Sequence, residues 1–519
     1  MRPPIGTLDG KEFEVVIIGA GVNGASASQH LAAAGYNILL VDKNDFGSGS
    51  SSRSSRIMHC GLRYLAPGAS MWEFVRHPGR LKTALRMARL AMQYRSQFVT
   101  TTPERSLPVK WFYPIYKGGP YPNWQVDLAY GVLKALGPKT VPLDYRRLKP
   151  TEAMENPLVR LLRDADQLTG VGVFREYLYE WPERICVDTV MDAERMGAVV
   201  RNYTAASGLT KTSDGNWRIA LRDSMPPHDE ATVTGKVVLN TGGIWIDDIN
   251  AKNSGEQKPG RKITGTKGVC IVFQLPDDCQ GQAITVINRA NEPINLTPWR
   301  GMHYFGPTET VYEGDIDNIK PLDEEIDWLL DEVNYLFPGM KGLKRQDIIF
   351  TWAGVRPLTY DPALPKGNRS REIHDLGPEG MANVLAMTAG PIMTHRSAGK
   401  ELLEAVRKRL PPSGTEKSLS FAARLFPDNQ NSPRLLDDGT STTLQDLRHA
   451  AAEEHPTNLA DLLFRRVGVG WTRTMGAPAA RRTAETVADI LGWDEERIVE
   501  ETSRYEAYVA ENHRWKQWR

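Results

Sequence analysis

The stretch FEVVIIGAGVNGASASQHLAAAGYNILLVDK, residues 13–43, limits what this chain can fold into more than any other. The β-branched run Val15 to Ile18 predicts a buried strand, NGASASQHLAAAG a helix stopped at Gly35, and Ile38 to Val41 a second strand. Between the first strand and the helix stands Gly19-x-Gly21-x-x-Gly24. The first glycine permits a tight turn, the second lets backbone approach a pyrophosphate, and the third lets the helix pack on the strand. The helix N-terminus then offers free N–H groups and a positive dipole end to a phosphate. Asp42 ends the second strand at the spacing where a carboxylate accepts from a ribose hydroxyl. Strand, glycines, helix, strand and acid together predict a dinucleotide site.

The next segment selects the dinucleotide. A nicotinamide enzyme of this kind would continue into another strand–helix unit, but here the chain enters SSSRSSRIMHCGLRYL, Ser50 to Leu65, with five serines, three arginines and His59. Small hydroxyls and backbone N–H groups can line a long pyrophosphate and ribityl chain without steric cost. That suits FAD, with Ser51, Ser52, Ser54 and Ser55 as contacts. A serine-rich run is otherwise a solvated loop; the apolar anchors in IMHCGLRYL predict an ordered one.

Composition narrows the remainder. A chain of 519 residues exceeds what one hydrophobic core serves, so two or three units are expected. Lys and Arg (64) nearly balance Asp and Glu (63), which excludes a globally basic, nucleic-acid-binding chain. The four cysteines form no CxxC pair and no His/Cys ligand spacing, so neither a disulfide framework nor a metal site is expected, and a reducing cytoplasm is the expected home. No apolar run reaches the roughly 20 residues of a bilayer-spanning helix, and residues 1–12 lack a signal-peptide core. KVVLNTGG and NVLAMTAGP read as strands whose glycines, Gly242 and Gly390, meet the cofactor. Residues 263–312 alternate short β-type runs with turns, as antiparallel strands do. From Thr415, past Pro411, Pro412, Ser413 and Gly414, the sequence reads as polar and helical.

The N-terminal segment GAGVNGASASQHLAAAGYNILLVDKNDFGSGSSSRSSRIMHCGLRYL resembles that of FAD-dependent glycerol-3-phosphate dehydrogenases. The resemblance recurs in VVLNTGGIWIDDI (237–249), TPWRGMHYFGPTETVYEGD (297–315), TWAGVRPL (351–358) and AGPIMTHRSAGKELLE (389–404). It implies an α/β fold with α+β parts: a Rossmann-like FAD domain from 13–65, 175–260 and 345–410, an antiparallel-sheet substrate domain from 66–174 and 261–344, and a helical C-terminal domain, 415–519. The implied reaction oxidises the secondary alcohol of a polyol phosphate to a ketone, with hydride passing to flavin N5 and electrons on to a membrane quinone. Arg63 and Arg356 match family positions near substrate, and Tyr64 and Lys267 join them as substrate contacts; His59 is the candidate general base. A homodimer is compatible with this reading. An amino-acid-oxidase-type flavoenzyme, or a flavoprotein scaffold without turnover, are the readings from other classes.

Three departures fall on the expected substrate side. Pro391 replaces the family lysine, Cys270 replaces a histidine in TKGVC, and REYLYEWPERICVD (175–188) is larger and more aromatic than the family segment. They point to an altered substrate, with erythritol phosphate ahead of glycerol 3-phosphate. Residues 72–98 carry six Lys/Arg (Arg76, Arg80, Lys82, Arg86, Arg89, Arg95) against one acid, Glu73. Leu81, Leu85, Ala88 and Met92 form an apolar stripe at helical spacing, which fits either an interior-packed helix or peripheral contact with an anionic membrane at the inner face of the cytoplasmic membrane.

Overall fold

The computed structural model describes residues 2–65, 78–253, 255, 258–428, 431–436 and 440–517. Its first sheet is built on Glu12–Ile18, which lies parallel between Ile38–Val41 and Glu230–Asn240. Val199–Arg201 extends the sheet on one side and Val384–Thr388 on the other, again in parallel. The central strand is a continuous apolar run because both of its faces are buried. Val15 and Ile17 share a core with the helices Val22–Ala33, Pro182–Arg195 and His395–Arg407. Val16 and Ile18 pack instead with the antiparallel pair Thr204–Lys211 and Trp217–Asp223.

The second sheet has ten strands, antiparallel except where Gln282–Ile287 meets Ser106–Tyr116. One long ladder joins Ser106–Tyr116 to Leu168–Tyr179, and another joins Ile263–Phe273 to Phe350–Thr359. The helix Asp323–Leu336 buries Ile326, Leu329 and Val333 in one core with Val269, Ile271 and Phe305. The α/β class, the antiparallel sheet and the helical C-terminal part are thus as the sequence implies, but the sheets divide the chain elsewhere than at 175 and 345. Residues 175–179 finish a strand of the second sheet, and TWAGVRPL lies within Phe350–Thr359, which pairs with Ile263–Phe273 over ten residues of that same sheet. Ile57–Met58 also pairs there, with Leu178 and Tyr177, so the serine–arginine loop spans the gap between the sheets.

The C-terminal part is helical from Leu444, later than the composition implies. Residues 415–428 form no regular element. Their backbone is instead taken up by neighbours: Lys417 N donates to Ala33 O, and Ser420, Phe421 and Arg424 carbonyls accept from Gln29, Thr102 and Arg105. Partners from outside the segment replace those a helix would supply. The helix Leu444–Glu453 starts at a capping box, Thr443 with Asp446, and Glu495–His513 starts at Asp494, whose carboxylate accepts from Arg497 N at 2.8 Å. Leu447, Val487 and Tyr505 close a core over Trp299, Trp352 and Tyr304 of the second sheet.

A buried ionic cluster fixes this cap to the first unit. The π-helical turn Asp461–Arg466 sends Arg465 and Arg466 onto Asp45, Arg466 gripping both carboxylate oxygens at 2.7 and 2.8 Å. Burial alone would raise the Asp45 carboxyl, but Arg466 and Arg465 hold it well below the usual carboxylate range. A depressed acid contributes stability above its unfolded pKa and loses it only as pH falls through the folded value, so this clamp persists into strong acid. Asp45→Asn should cost about 3 kcal/mol by leaving two buried guanidiniums undercompensated. The check is the urea midpoint followed through the tryptophans of the cap; an unchanged midpoint would show that the clamp does not hold it.

Candidate active site between the sheets

A cavity of about 570 Å³ runs between the two sheets, lined at one end by Gly19, Gly21, Asp42 and Thr204–Ala206 and at the other by His59, Arg356 and Ile392–Met393. The glycine turn is as tight as the motif requires. Gly19 sits at φ +102°, and a Cβ on Gly24 would lie 1.8 Å from Gly19 O. Thr241 Oγ1 donates to the same carbonyl at 2.8 Å, tying the turn to the end of Glu230–Asn240. Gly21 provides no side-chain cap for the helix behind it, and Val22 N donates to Ser51 Oγ at 3.0 Å. Gly242 and Gly390 both line the cavity, whereas Gly24 serves only the turn.

Asp42 accepts from Ala20 N at 2.7 Å and Asn44 N at 2.9 Å. Burial pushes its carboxyl up to about 6, against those backbone donors. Above this end lies a strap: Asp317 accepts from Trp245 Nε1 at 2.7 Å and from Lys43, whose ammonium also stands 4.4 Å from the Trp245 ring centroid. The sequence reasoning missed Thr241, Lys43, Trp245 and Asp317, because no local pattern brings residues from three segments together. Along the middle, Ser51, Ser54 and Ser55 line the cavity, and Ser50 Oγ donates to Val355 O at 2.6 Å. Ser52 is buried and donates to Ser48 O and Gly49 O, closing the loop on itself.

Strand register sorts the residues at the other end. Arg356 pairs with Thr266, and Gly354 with Gly268, so the even positions of both strands share the face that lines the cavity, with Cys270 and Trp352 among them. Lys267, one residue out of phase, lies on the opposite face and pairs with Glu325 at 2.8 Å. It does not line the cavity, and the expected substrate contact is withdrawn. His59, Tyr64 and Arg356 do line it; the side chain of Arg63 lies outside the described residues. Arg53, Arg56 and Arg369 also line it and were missed, although the first two stand in the loop that the sequence singled out. Of the three departures, Pro391 and Cys270 are on the cavity wall, and burial pushes the Cys270 thiol up to about 12, leaving it neutral. Within 175–188, Tyr179 alone reaches the cavity; Trp181 and Arg184 turn to the C-terminal cap, donating to Phe464 O and Glu454.

The cavity fits an elongated dinucleotide: a side-chain-free cradle at Gly21, a carboxylate at the nucleotide end, hydroxyls along the middle and cations beyond. Fold and site together define a flavin-dependent oxidoreductase. Residues 14–405 match the family described as FAD dependent oxidoreductase, and the chain belongs to that family, in its glycerol-3-phosphate dehydrogenase branch, with FAD as its cofactor. A glycerol-3-phosphate dehydrogenase of Synechocystis sp. is 27% identical over 96% of this chain and 97% of its own. An aerobic glycerol-3-phosphate dehydrogenase of Staphylococcus haemolyticus is 30% identical over 80% of this chain and 70% of its own. Among solved structures, a glycerol-3-phosphate dehydrogenase from Bacillus halodurans complexed with FAD has a TM-score of 0.72 at 20% identity, covering 98% of this chain and 96% of that one.

A ribose hydroxyl donates more strongly to an ionised carboxylate than to a protonated one, so bound FAD should favour ionised Asp42. Affinity for FAD is therefore expected to be full above about pH 6 and to weaken as pH falls through that value. Fluorescence titration of the apoprotein with FAD measures this. Asp42→Asn should flatten the profile between about pH 7 and pH 5, and a wild-type profile already flat there would remove the ribose contact.

Proposed function

We propose that the chain oxidises the secondary alcohol of a polyol phosphate to the ketone, with erythritol phosphate as the favoured substrate, glycerol 3-phosphate as the alternative, and a membrane quinone as the final acceptor. Bound FAD supplies the hydride acceptor at N5. The observation that carries this reading is the pair Arg356 and Arg369 on the cavity wall. Two guanidinium forks suit a phosphate dianion and the developing carbonyl oxygen. His59 lines the same cavity, and Cys60 N beside it donates to the buried Glu176 carboxylate at 2.7 Å. In this reading the carbinol hydrogen leaves as hydride, the hydroxyl proton passes to His59, and the C=O bond forms between them.

Arg369 is the candidate for the cation that Pro391 does not provide. It pairs with Glu309, whose carboxyl is held below its ordinary value, against its own burial, by Arg369, Arg356 and Lys366. A substrate phosphate would take the place of that carboxylate. Cys270 and Pro391, smaller and less polar than the family residues, leave room and fewer fixed contacts, which supports a four-carbon polyol over glycerol. An amino-acid substrate would need an acceptor for its ammonium group, and the carboxylate beside the two arginines, Glu309, is already paired with Arg369. Anaerobic stopped-flow bleaching of the flavin by erythritol phosphate, glycerol 3-phosphate and amino acids tests this. Polyol phosphates should bleach it, erythritol phosphate with the higher kcat/KM, and Arg369→Ala should raise KM at least tenfold, the loss of one charge-assisted contact of about 1.5–3 kcal/mol. Bleaching by amino acids alone would overturn the reading.

The membrane part of the reading rests on a different surface from the one the sequence marks. In the helix Pro78–Thr101, Ala88 and Met92 pack inward against Val126 and Leu133, so the apolar stripe belongs to the interior. Arg95 is buried too, bonded to Glu176 at 3.0 Å, and is not a lipid contact. Arg76 and Glu73 lie outside the described residues, as does the side chain of Arg80. Lys82, Arg86 and Arg89 remain exposed, and the adjoining helix Asn123–Leu136 presents Trp124 (61% exposed) and Leu128. No helix among the described residues is long and apolar enough to cross a membrane. Peripheral contact would therefore come from cations worth about 1 kcal/mol each near anionic headgroups. Co-sedimentation with anionic vesicles should fall with salt and with Lys82→Glu, Arg86→Glu and Arg89→Glu combined; equal binding to neutral vesicles would remove this surface.

A further inference from the structure

Arg56 is held unlike any other cation that lines the cavity. Its side chain is completely buried, and its guanidinium carbon stands 3.9 Å from the Trp299 ring centroid, 4.5 Å from Trp471 and 5.5 Å from Trp352. Its polar contacts are long: Glu183 at 3.5 Å and Ser52 O at 3.3 Å, while Nε has no hydrogen-bond partner among the described residues. The backbone is fixed as well, with φ +59°, Ser54 Oγ accepting from Arg56 N at 3.1 Å and Arg56 O accepting from Tyr179 N at 2.7 Å. Arg56 lines the cofactor cavity and Glu183 does not. Glu183 is oriented from behind, accepting from Trp471 Nε1.

This is a costly way to keep a charge if the charge does nothing. An arginine cannot shed its proton, and burial removes its hydration without a close countercharge to compensate. Indole faces solve part of that problem, because they attract the cation through their quadrupole while adding no negative charge that would cancel it. The result is a buried ion pair of which the arginine, and not the carboxylate, belongs to a residue that lines the cavity, in surroundings where the field is weakly screened. A flavin gains negative charge on reduction, and nearby protein charge is one of the means by which its electronics are tuned.

We propose that Arg56, desolvated between Trp299 and Trp471 and backed by Glu183, is the fixed positive charge that raises the reduction potential of the bound flavin. The role goes beyond the choice of substrate and depends only on FAD being bound. Arg56→Met keeps a long apolar side chain between the indoles and deletes the charge; Arg56→Lys keeps the charge; Glu183→Gln keeps the acceptor for Trp471 and deletes the countercharge. Spectroelectrochemical titration of each FAD-loaded protein reads the effect. Arg56→Met should weaken affinity for reduced relative to oxidised FAD at least tenfold, a fall of about 30 mV for a two-electron couple. Arg56→Lys should stay within threefold of wild type, and Glu183→Gln should shift the potential upward. An unchanged potential in Arg56→Met, or a downward shift in Glu183→Gln, would overturn the proposal. If Arg56→Met does not hold FAD, the sign of the Glu183→Gln shift decides.

Discussion

Asp45 lies three residues beyond the carboxylate that faces the nucleotide end, and its burial beneath two arginines of a distant segment ties the cofactor loop to the rest of the molecule. A buried carboxylate is tolerable only when its charge and lone pairs are matched. Here Arg465, Arg466 and Asn202 match them, Asn202 donating at 2.9 Å. The loop that begins at this clamp then meets the helix of the first unit at Ser51, the second sheet at Ser50 and Ile57, and Tyr304 at Ser55 O. Each contact leaves the loop less freedom. A cavity whose middle wall is a loop can be specific only if that loop is held from several directions.

What the sequence makes legible follows from how local the cause is. Residues 12–41 fold as read because a strand buried on both faces, a glycine turn and a short helix are each specified by neighbouring residues. The same holds for the serine–arginine loop, whose polarity announces a long polar ligand. Register is not local. TKGVC and GVRPL both look like substrate motifs, but only the pairing of Thr266 with Arg356 reveals that Lys267 faces the core helix at Glu325 while Arg356 faces the cavity. Arg95 is a similar case: as one of six cations on a helix it reads as solvated, until the Glu176 carboxylate arrives from a strand 81 positions later.

The environment of Arg56 shows the limit most clearly. Its identity stands in plain view in RSSR, yet its cage comes from Trp299, Trp352 and Trp471, two strands of the second sheet and a turn of the C-terminal cap. No spacing rule connects them. The substrate-side departures divide in the same way: Cys270 and Pro391 do face the cavity, whereas in the aromatic 175–188 segment Trp181 and Arg184 fill the junction with the cap and Tyr177 packs with Met58 and Phe98.

The C-terminal helices are therefore more than a cover. They contribute Trp471 to the cage of Arg56, which lines the cavity, Arg465 and Arg466 to the clamp on Asp45 at the start of the cofactor loop, and Glu454 to the buried pair with Arg184 that joins the cap to the first unit. Because these contacts exclude water, the cations facing the cavity act at low dielectric, where a fixed charge has greater reach than it would at a surface. Detaching the cap would admit solvent to Arg56 and release Asp45 together, so the rigidity of the loop and the electrostatics of the site share one structural origin.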